Sequence, residues 1–235
     1  MFFDPLYFLV VGPTMLLSMW ASFKVRSAFN QWKQYANKGG YSGAHIARAI
    51  LDASGLKNVR VEHVAGELTD HYDPTSKTLR LSDATYSSNS IAAAGVAAHE
   101  AGHAIQDKVN YPMLGLRSAI VPLASISSNL SWILIMGGMF LMVLQGKIGY
   151  IVTLIGVLLF SVVVVFQLVT VPVEIDASRR AKQILKKMGY VEGKEAAAID
   201  EVLDAAAWTY VAAAASGIAT LLYYLLRLGF FRSDD

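Results

Sequence analysis

The chain has 235 residues, 54% of them hydrophobic and only 16% charged, with a net charge of +2 and no cysteine. A soluble domain is ordinarily about 25% charged, and a balance this near neutrality gives no electrostatic case for a nucleic-acid partner. The absence of cysteine excludes disulfides, a thiol nucleophile and thiolate metal sites, so any metal must be held by His, Asp or Glu.

The charge deficit lies in uncharged runs, the first being Pro5 to Phe23. A bilayer-spanning helix needs about 20 apolar residues, so 1–23 is expected to form a first transmembrane helix. Asp4, and the lack of Lys or Arg before Lys24, favour a retained anchor over a cleaved signal peptide.

A polar segment follows over 24–117. "YSGAHIARAILDASGLKNVRV" predicts an amphipathic helix with Ile46, Ile50 and Leu51 on one face and Gly55 after its end. "VRVEHVAGEL" predicts a strand with Val59, Val61 and His63 alternating inward. "GELTDHYDPTSKTLRLS" reads as a hairpin turning at Asp73-Pro74. Ser88 to Lys108 is expected to be a helix with Ser90 as N-cap.

Two further uncharged stretches, 118–146 and 148–173, predict the second and third transmembrane helices, with Lys147 alone between them. Pro172 is expected to kink or restart the chain leaving the third. A second polar segment follows over 174–204, and its first part, "EIDASRRAKQILKKMG", reads as helical, with Ile175, Ser178, Ala181, Leu185 and Met188 sharing a stripe and Gly189 following. The alanine-rich stretch 205–228 predicts the fourth transmembrane helix. The expected class is therefore α+β: a predominantly helical integral membrane protein with four transmembrane helices and a polar domain, in two pieces, containing a small β-sheet. The polar segments carry most of the 20 Lys and Arg residues, while Lys147, Arg227 and Arg232 are the few on the other side. By the positive-inside rule both polar segments face the cytoplasm and both termini lie outside.

The motif that carries chemistry is "GVAAHEAGHAIQ". On a helix, His99 and His103 sit one turn apart on one face, where both imidazoles can reach one ion. Glu100 is next round the helix and can serve as general base toward a zinc-activated water. Ala97, Ala98, Ala101 and Ala104 surround these groups, so the face is not a solvated charged one, and buried ionisable groups need a partner or a metal. A catalytic zinc takes three protein ligands and keeps one position open. A third His six residues after His103 is excluded, because Val109 stands there and Gln106 replaces the glycine of that pattern. Glu174 is the leading third ligand, since the second and third transmembrane helices form a hairpin that returns the chain to the side it left. Asp176 is its rival, about 200° round the helix, and is otherwise a hydrogen-bond partner for a ligand histidine. Gly102 is expected to let a neighbouring helix approach closely.

"SIAAAGVAAHEAGHAIQ", "GELTDHYDP" with "LRLS", and "PVEIDASRRA" resemble the YugP-type neutral zinc metallopeptidases, a family of bacterial membrane proteins, over nearly the whole chain. The chain is more distantly similar to the HtpX-type and CAAX-prenyl-type membrane proteases, whose third ligand lies in an E-x-x-A-D pattern. Here that pattern reads Glu174, Ala177 and then Ser178 in place of Asp. The resemblance implies a gluzincin-like domain with His99, His103 and Glu174 on Zn2+ and Glu100 as general base. Where the geometry says zinc hydrolase, the resemblance adds peptidase.

The expected function is that of a zinc-dependent endopeptidase in the bacterial inner (plasma) membrane, acting on membrane proteins or membrane-proximal peptides, with its active site toward the cytoplasm. Its partners are then a peptide substrate and the lipid bilayer; a homo-oligomer stays open. One alternative is a non-proteolytic zinc-binding scaffold or assembly factor. Another, a transporter, is weakened by the lack of an acid or base inside the uncharged runs. His71, with Asp70 and Tyr72, is a candidate for the substrate cleft, against a plain turn-region cluster. Tyr210 is a candidate oxyanion donor, against a helix-packing tyrosine.

Overall fold

In the computed structural model, which describes residues 4–230, the element order is α1 (Pro5–Trp32), α2 (Gly43–Ala53), β1 (Arg60–His63), β2 (His71–Asp73), β3 (Thr78–Leu81), α3 (Ile91–Lys108), α4 (Pro112–Leu144), α5 (Gly146–Lys187) and α6 (Lys194–Arg227). Four of these, α1, α4, α5 and α6, are long and apolar enough to cross a membrane. With the small sheet they give the expected helix-dominated α+β class. Arg232, used in the charge argument, lies outside the described residues.

The chain divides into two compact units. The first comprises the chain up to Trp20, Leu116–Val171 and the chain from Tyr210. Its core holds Val11, Ile135, Val157, Tyr223, Tyr224 and Leu228. Many large apolar side chains point outward, among them Leu9, Met19, Phe140 and Leu158. Such a surface is costly in water and ordinary against lipid. Gln145 alone joins α4 to α5. The two helices touch closely enough that a Cβ on Gly156 would stand 2.8 Å from the Ile135 backbone nitrogen, as small residues permit in membrane helix pairs.

The second unit comprises Ala21–Gly115 and Pro172–Thr209. Its sheet has the order β1-β3-β2. The hairpin forms as expected, with β2 antiparallel to β3 from His71↔Arg80 to Asp73↔Thr78. Strand β1 pairs with the far side of β3, in parallel, from Arg60↔Thr78 to His63↔Leu81. Helix α2 opens on Ser42, whose side chain accepts from the His45 N–H, and buries Ile46, Ala47, Ile50 and Leu51. Gly55 follows it at φ +70°, a left-handed conformation that suits glycine. In β1, His63 departs from the inward alternation: it is exposed and meets Asp83 at 2.6 Å. An imidazole can satisfy its nitrogens on a surface carboxylate, which the apolar core does not offer.

One expectation about the chain after the third apolar run is narrowed and another needs correction. Of the two behaviours expected at Pro172, a kink or a restart, the restart does not occur; α5 is continuous through it for 42 residues. Proline removes one donor, but the neighbouring turns keep their bonds, and Thr170 adds a side-chain bond to the Phe166 carbonyl at 2.7 Å. Ile175 does not belong to the buried stripe. It is 49% exposed, whereas Glu174, Ala177, Ser178, Ala181 and Leu185 are buried. The polar Glu174 and Ser178, not the apolar Ile175, define the inward face.

Candidate metal centre

Helix α3 begins where Ser90 caps it, the Ser90 side chain accepting from the Ala93 N–H at 3.1 Å. Around the middle of the helix, Ala97, Ala98, Ala101 and Ala104 are fully buried in a core shared with α2, β3 and the end of α5. Small side chains bring the neighbouring backbones close. At Gly102 the approach is closest: a Cβ there would stand 2.7 Å from the Ala177 carbonyl oxygen. The expectation that Gly102 admits a neighbouring helix holds, and α5 is that helix.

This contact sets Glu174, three residues before Ala177, opposite the two imidazoles. His99 Nε2 lies 3.1 Å from Glu174 Oε2, and His103 Nε2 lies 3.5 Å from the same oxygen. The two rings are perpendicular, with centroids 4.8 Å apart. One ligand atom from each of His99, His103 and Glu174 falls within 4.8 Å of the others. Glu174 is 2% exposed, His103 7% and Glu100 8%.

These spacings suit a metal of zinc's size. Bonds of about 2.0–2.1 Å in a tetrahedron put neighbouring donor atoms about 3.3 Å apart, between the two distances observed. Two imidazole nitrogens and one carboxylate match a zinc site that keeps a position open, whereas calcium and magnesium prefer oxygen donors throughout. The electrostatics agree. Burial alone would lower the His103 imidazole, but the hydrogen bond and charge of Glu174, then the charge of Glu100, outweigh it and hold His103 above its ordinary value. A field that draws a proton to this spot also draws a cation.

Behind His99 and His103 stand two groups that sequence reasoning did not assign. Ser178 Oγ lies 3.1 Å from His99 Nδ1. The residue that departs from the wider E-x-x-A-D pattern therefore still meets one of the two candidate histidines. Gln106, fully buried, places Oε1 3.0 Å from His103 Nδ1 and bonds through Nε2 to the Val173 carbonyl and to Asp176. The available signal was a lone glutamine one turn after His103 in an alanine-rich helix, since a buried amide needs partners. Asp176 does not converge with the ligand atoms; it meets Gln106, Arg179 and Arg180.

The remaining candidates have partners of their own. His71 is exposed, with Nδ1 2.8 Å from the Thr69 carbonyl and Nε2 3.4 Å from Arg80. Asp70 accepts from the Ser82 backbone N–H and hydroxyl, both at 2.8 Å. Tyr72 donates to Asp107 at 2.6 Å. Tyr210 is partly buried on α6, in the first unit.

The family described as "Putative neutral zinc metallopeptidase" matches residues 7–229. The chain is also 45% identical over 210 residues to a Bacillus subtilis (strain 168) protein named "Putative membrane protease YugP", an alignment covering 89% of this chain and 91% of that one. No solved structure matches it.

Proposed function

The chain belongs to this neutral zinc metallopeptidase family, and on that premise we propose that it is an integral-membrane, zinc-dependent endopeptidase. The convergence of His99, His103 and Glu174 within 4.8 Å, from two helices far apart in sequence, carries the reading. His99 and His103 would supply two neutral donors to zinc, and Glu174 the third donor and one negative charge. Zinc held by them would supply Lewis acidity and make a water easier to deprotonate.

Glu100 is buried and adjacent in sequence to His99. It takes a proton from the attacking water as the new C–O bond forms at the peptide carbonyl. It then gives that proton to the leaving nitrogen as the C–N bond breaks. The acyl product keeps the hydroxyl and the amine keeps the proton, so the elements of one water are added and Glu100 is returned to its starting state.

The substrate class follows from place. Glu174 comes directly after the uncharged run Ile148 to Val173. Helix α5, with 42 residues, is about 63 Å long at 1.5 Å per residue, twice the roughly 30 Å of a bilayer core. A site on its polar continuation favours membrane-protein loops and membrane-proximal peptides. Four apolar helices and the Bacillus subtilis relative support a multi-pass protein of the bacterial plasma membrane, and the Lys and Arg distribution supports an orientation with this site toward the cytoplasm.

The test is Glu100→Gln in the full-length protein. Zinc content is expected to be retained and cleavage lost, read by comparing the peptides cleaved in cells with each form. A variant that keeps its cellular function and its cleavage pattern overturns the peptidase reading in favour of a zinc-binding scaffold.

A further inference from the structure

Gln106 is completely buried, and its hydrogen-bond partners leave its amide one orientation. A side-chain amide has one oxygen, which only accepts, and one nitrogen, which only donates. The Gln106 nitrogen faces the Val173 carbonyl at 2.8 Å and Asp176 Oδ2 at 2.9 Å. A backbone carbonyl cannot donate, and Asp176 is paired with Arg179 and with Arg180, the latter at 2.5 Å. Turning the amide over would set oxygen against both oxygens. The atom facing His103 Nδ1 at 3.0 Å is therefore Oε1. An oxygen there requires the proton of a neutral His103 ring to sit on Nδ1, leaving the lone pair on Nε2, the nitrogen directed at Glu174.

We propose that Gln106 is a positioning residue that fixes the His103 tautomer for metal binding, and that Asp176 acts at one remove by fixing Gln106. The inference rests on the metal-centre reading above. It gives the centre a carboxylate–amide–imidazole chain where metal sites commonly use a carboxylate directly on histidine. Arg180 anchors the far end, bonded to Asp176 and 6.0 Å from the Tyr111 ring centroid. His99 is held differently. Its Nδ1 meets the Ser178 hydroxyl, which can donate or accept and so does not select a tautomer. Of the two imidazoles, His103 is locked and His99 adaptable.

The test measures zinc affinity by chelator competition on purified full-length protein, with circular dichroism to confirm folding. Gln106→Met keeps length and approximate volume and removes both polar functions. Asp176→Asn is isosteric and touches no ligand. Each is expected to weaken zinc binding, by about 10–100-fold for Gln106→Met, the usual range when a ligand's hydrogen-bond partner is lost. The double variant is expected to bind no more weakly than Gln106→Met alone, because both act through one chain. A space-filling glutamine would leave affinity unchanged in Gln106→Met, and independent roles would make the losses add; either result overturns the proposal. If Gln106→Met does not fold, Asp176→Asn alone decides: an unchanged affinity overturns it. A wild-type protein that binds no zinc removes the metal-centre reading itself, whereas wild-type binding with indifferent variants removes only the role of Gln106.

Discussion

At Gly102 and Ala177, helices α3 and α5 meet backbone to backbone: a Cβ on Gly102 would stand 2.7 Å from the Ala177 carbonyl oxygen. The contact is one residue from His103 on one side and three from Glu174 on the other. The distance between these helices therefore sets the distance between imidazoles and carboxylate. Gly102→Ala is expected to push them apart, because the obstacle is backbone and cannot rotate away. Overpacking of this kind costs about 1–3 kcal/mol. Zinc affinity is expected to fall along with thermal stability. A Gly102→Ala protein with unaltered zinc affinity would show that the close contact does not govern the centre.

Glu174 and Asp176 are two residues apart on one helix and face different neighbours. Glu174 Oε2 lies within 3.5 Å of the His99 and His103 imidazoles, while Asp176 meets Gln106 and two arginines. Glu174→Ala removes a donor and is expected to abolish stoichiometric zinc. Asp176→Ala is expected to weaken binding yet load fully when zinc is in excess. Metal analysis of the two purified variants checks the ranking, and the reverse order would move the third ligand to Asp176.

Ser178 tests whether a hydroxyl suffices where the wider pattern has a carboxylate. Its Oγ is 3.1 Å from His99 Nδ1. Ser178→Ala is expected to weaken zinc binding by about tenfold, the low end for loss of such a partner. Chelator competition reads the change. An equal or tighter affinity would mean that His99 is held by packing alone.

Much of this arrangement was legible in the sequence because helical periodicity and charge exclusion are local. The spacing of His99 and His103, the Ser90 cap and the hairpin at Asp73-Pro74 each depend on a few adjacent residues. The uncharged runs identified four helices for the same reason. What was not legible depends on contacts between distant segments. The parallel pairing of β1 with β3 is fixed by the strand that leaves it a free edge, not by its own composition. Ile175 looked like a core residue, yet the buried face was chosen by Glu174 and Ser178 meeting His99. Gln106 stood out as a lone glutamine in an alanine-rich helix, but its partners could not be read from its neighbours. Its partners, Val173 and Asp176, come 67 and 70 residues later.

Tyr72 shows how the small sheet is tied to the end of α3. Its hydroxyl donates to Asp107 at 2.6 Å, and Lys77 reaches the same oxygen at 2.5 Å. Burial first, then the Asp107 hydrogen bond and charge, push the Tyr72 phenol well above its ordinary value. The neutral phenol is thus the form the fold favours. Its contribution is present below the ordinary tyrosine pKa of about 10 and is lost only as pH rises through the elevated folded value. Tyr72→Phe is expected to lower stability at neutral pH by about 1 kcal/mol, because Lys77 still satisfies Asp107. Thermal unfolding of the purified proteins measures it; no shift at all would make the hydrogen bond dispensable.

The orientation in the membrane can be read with single cysteines, since the native chain has none. Lys147 stands at the start of α5, one residue past its first, and Lys187 is its last residue. At 1.5 Å per residue these positions are about 60 Å apart along the helix, more than the roughly 40–45 Å of a bilayer with its headgroups. With α5 as a spanning helix, they are expected to report opposite sides. The basic run Arg179, Arg180, Lys182, Lys186 and Lys187 favours the cytoplasmic side for the far end. In intact cells, a membrane-impermeant thiol reagent is expected to label Lys147→Cys, and to reach Lys187→Cys only after the membrane is opened. The opposite pattern would place His99, His103 and Glu174 outside the cell and change the pool of available substrates from nascent and cytoplasmic loops to exported ones.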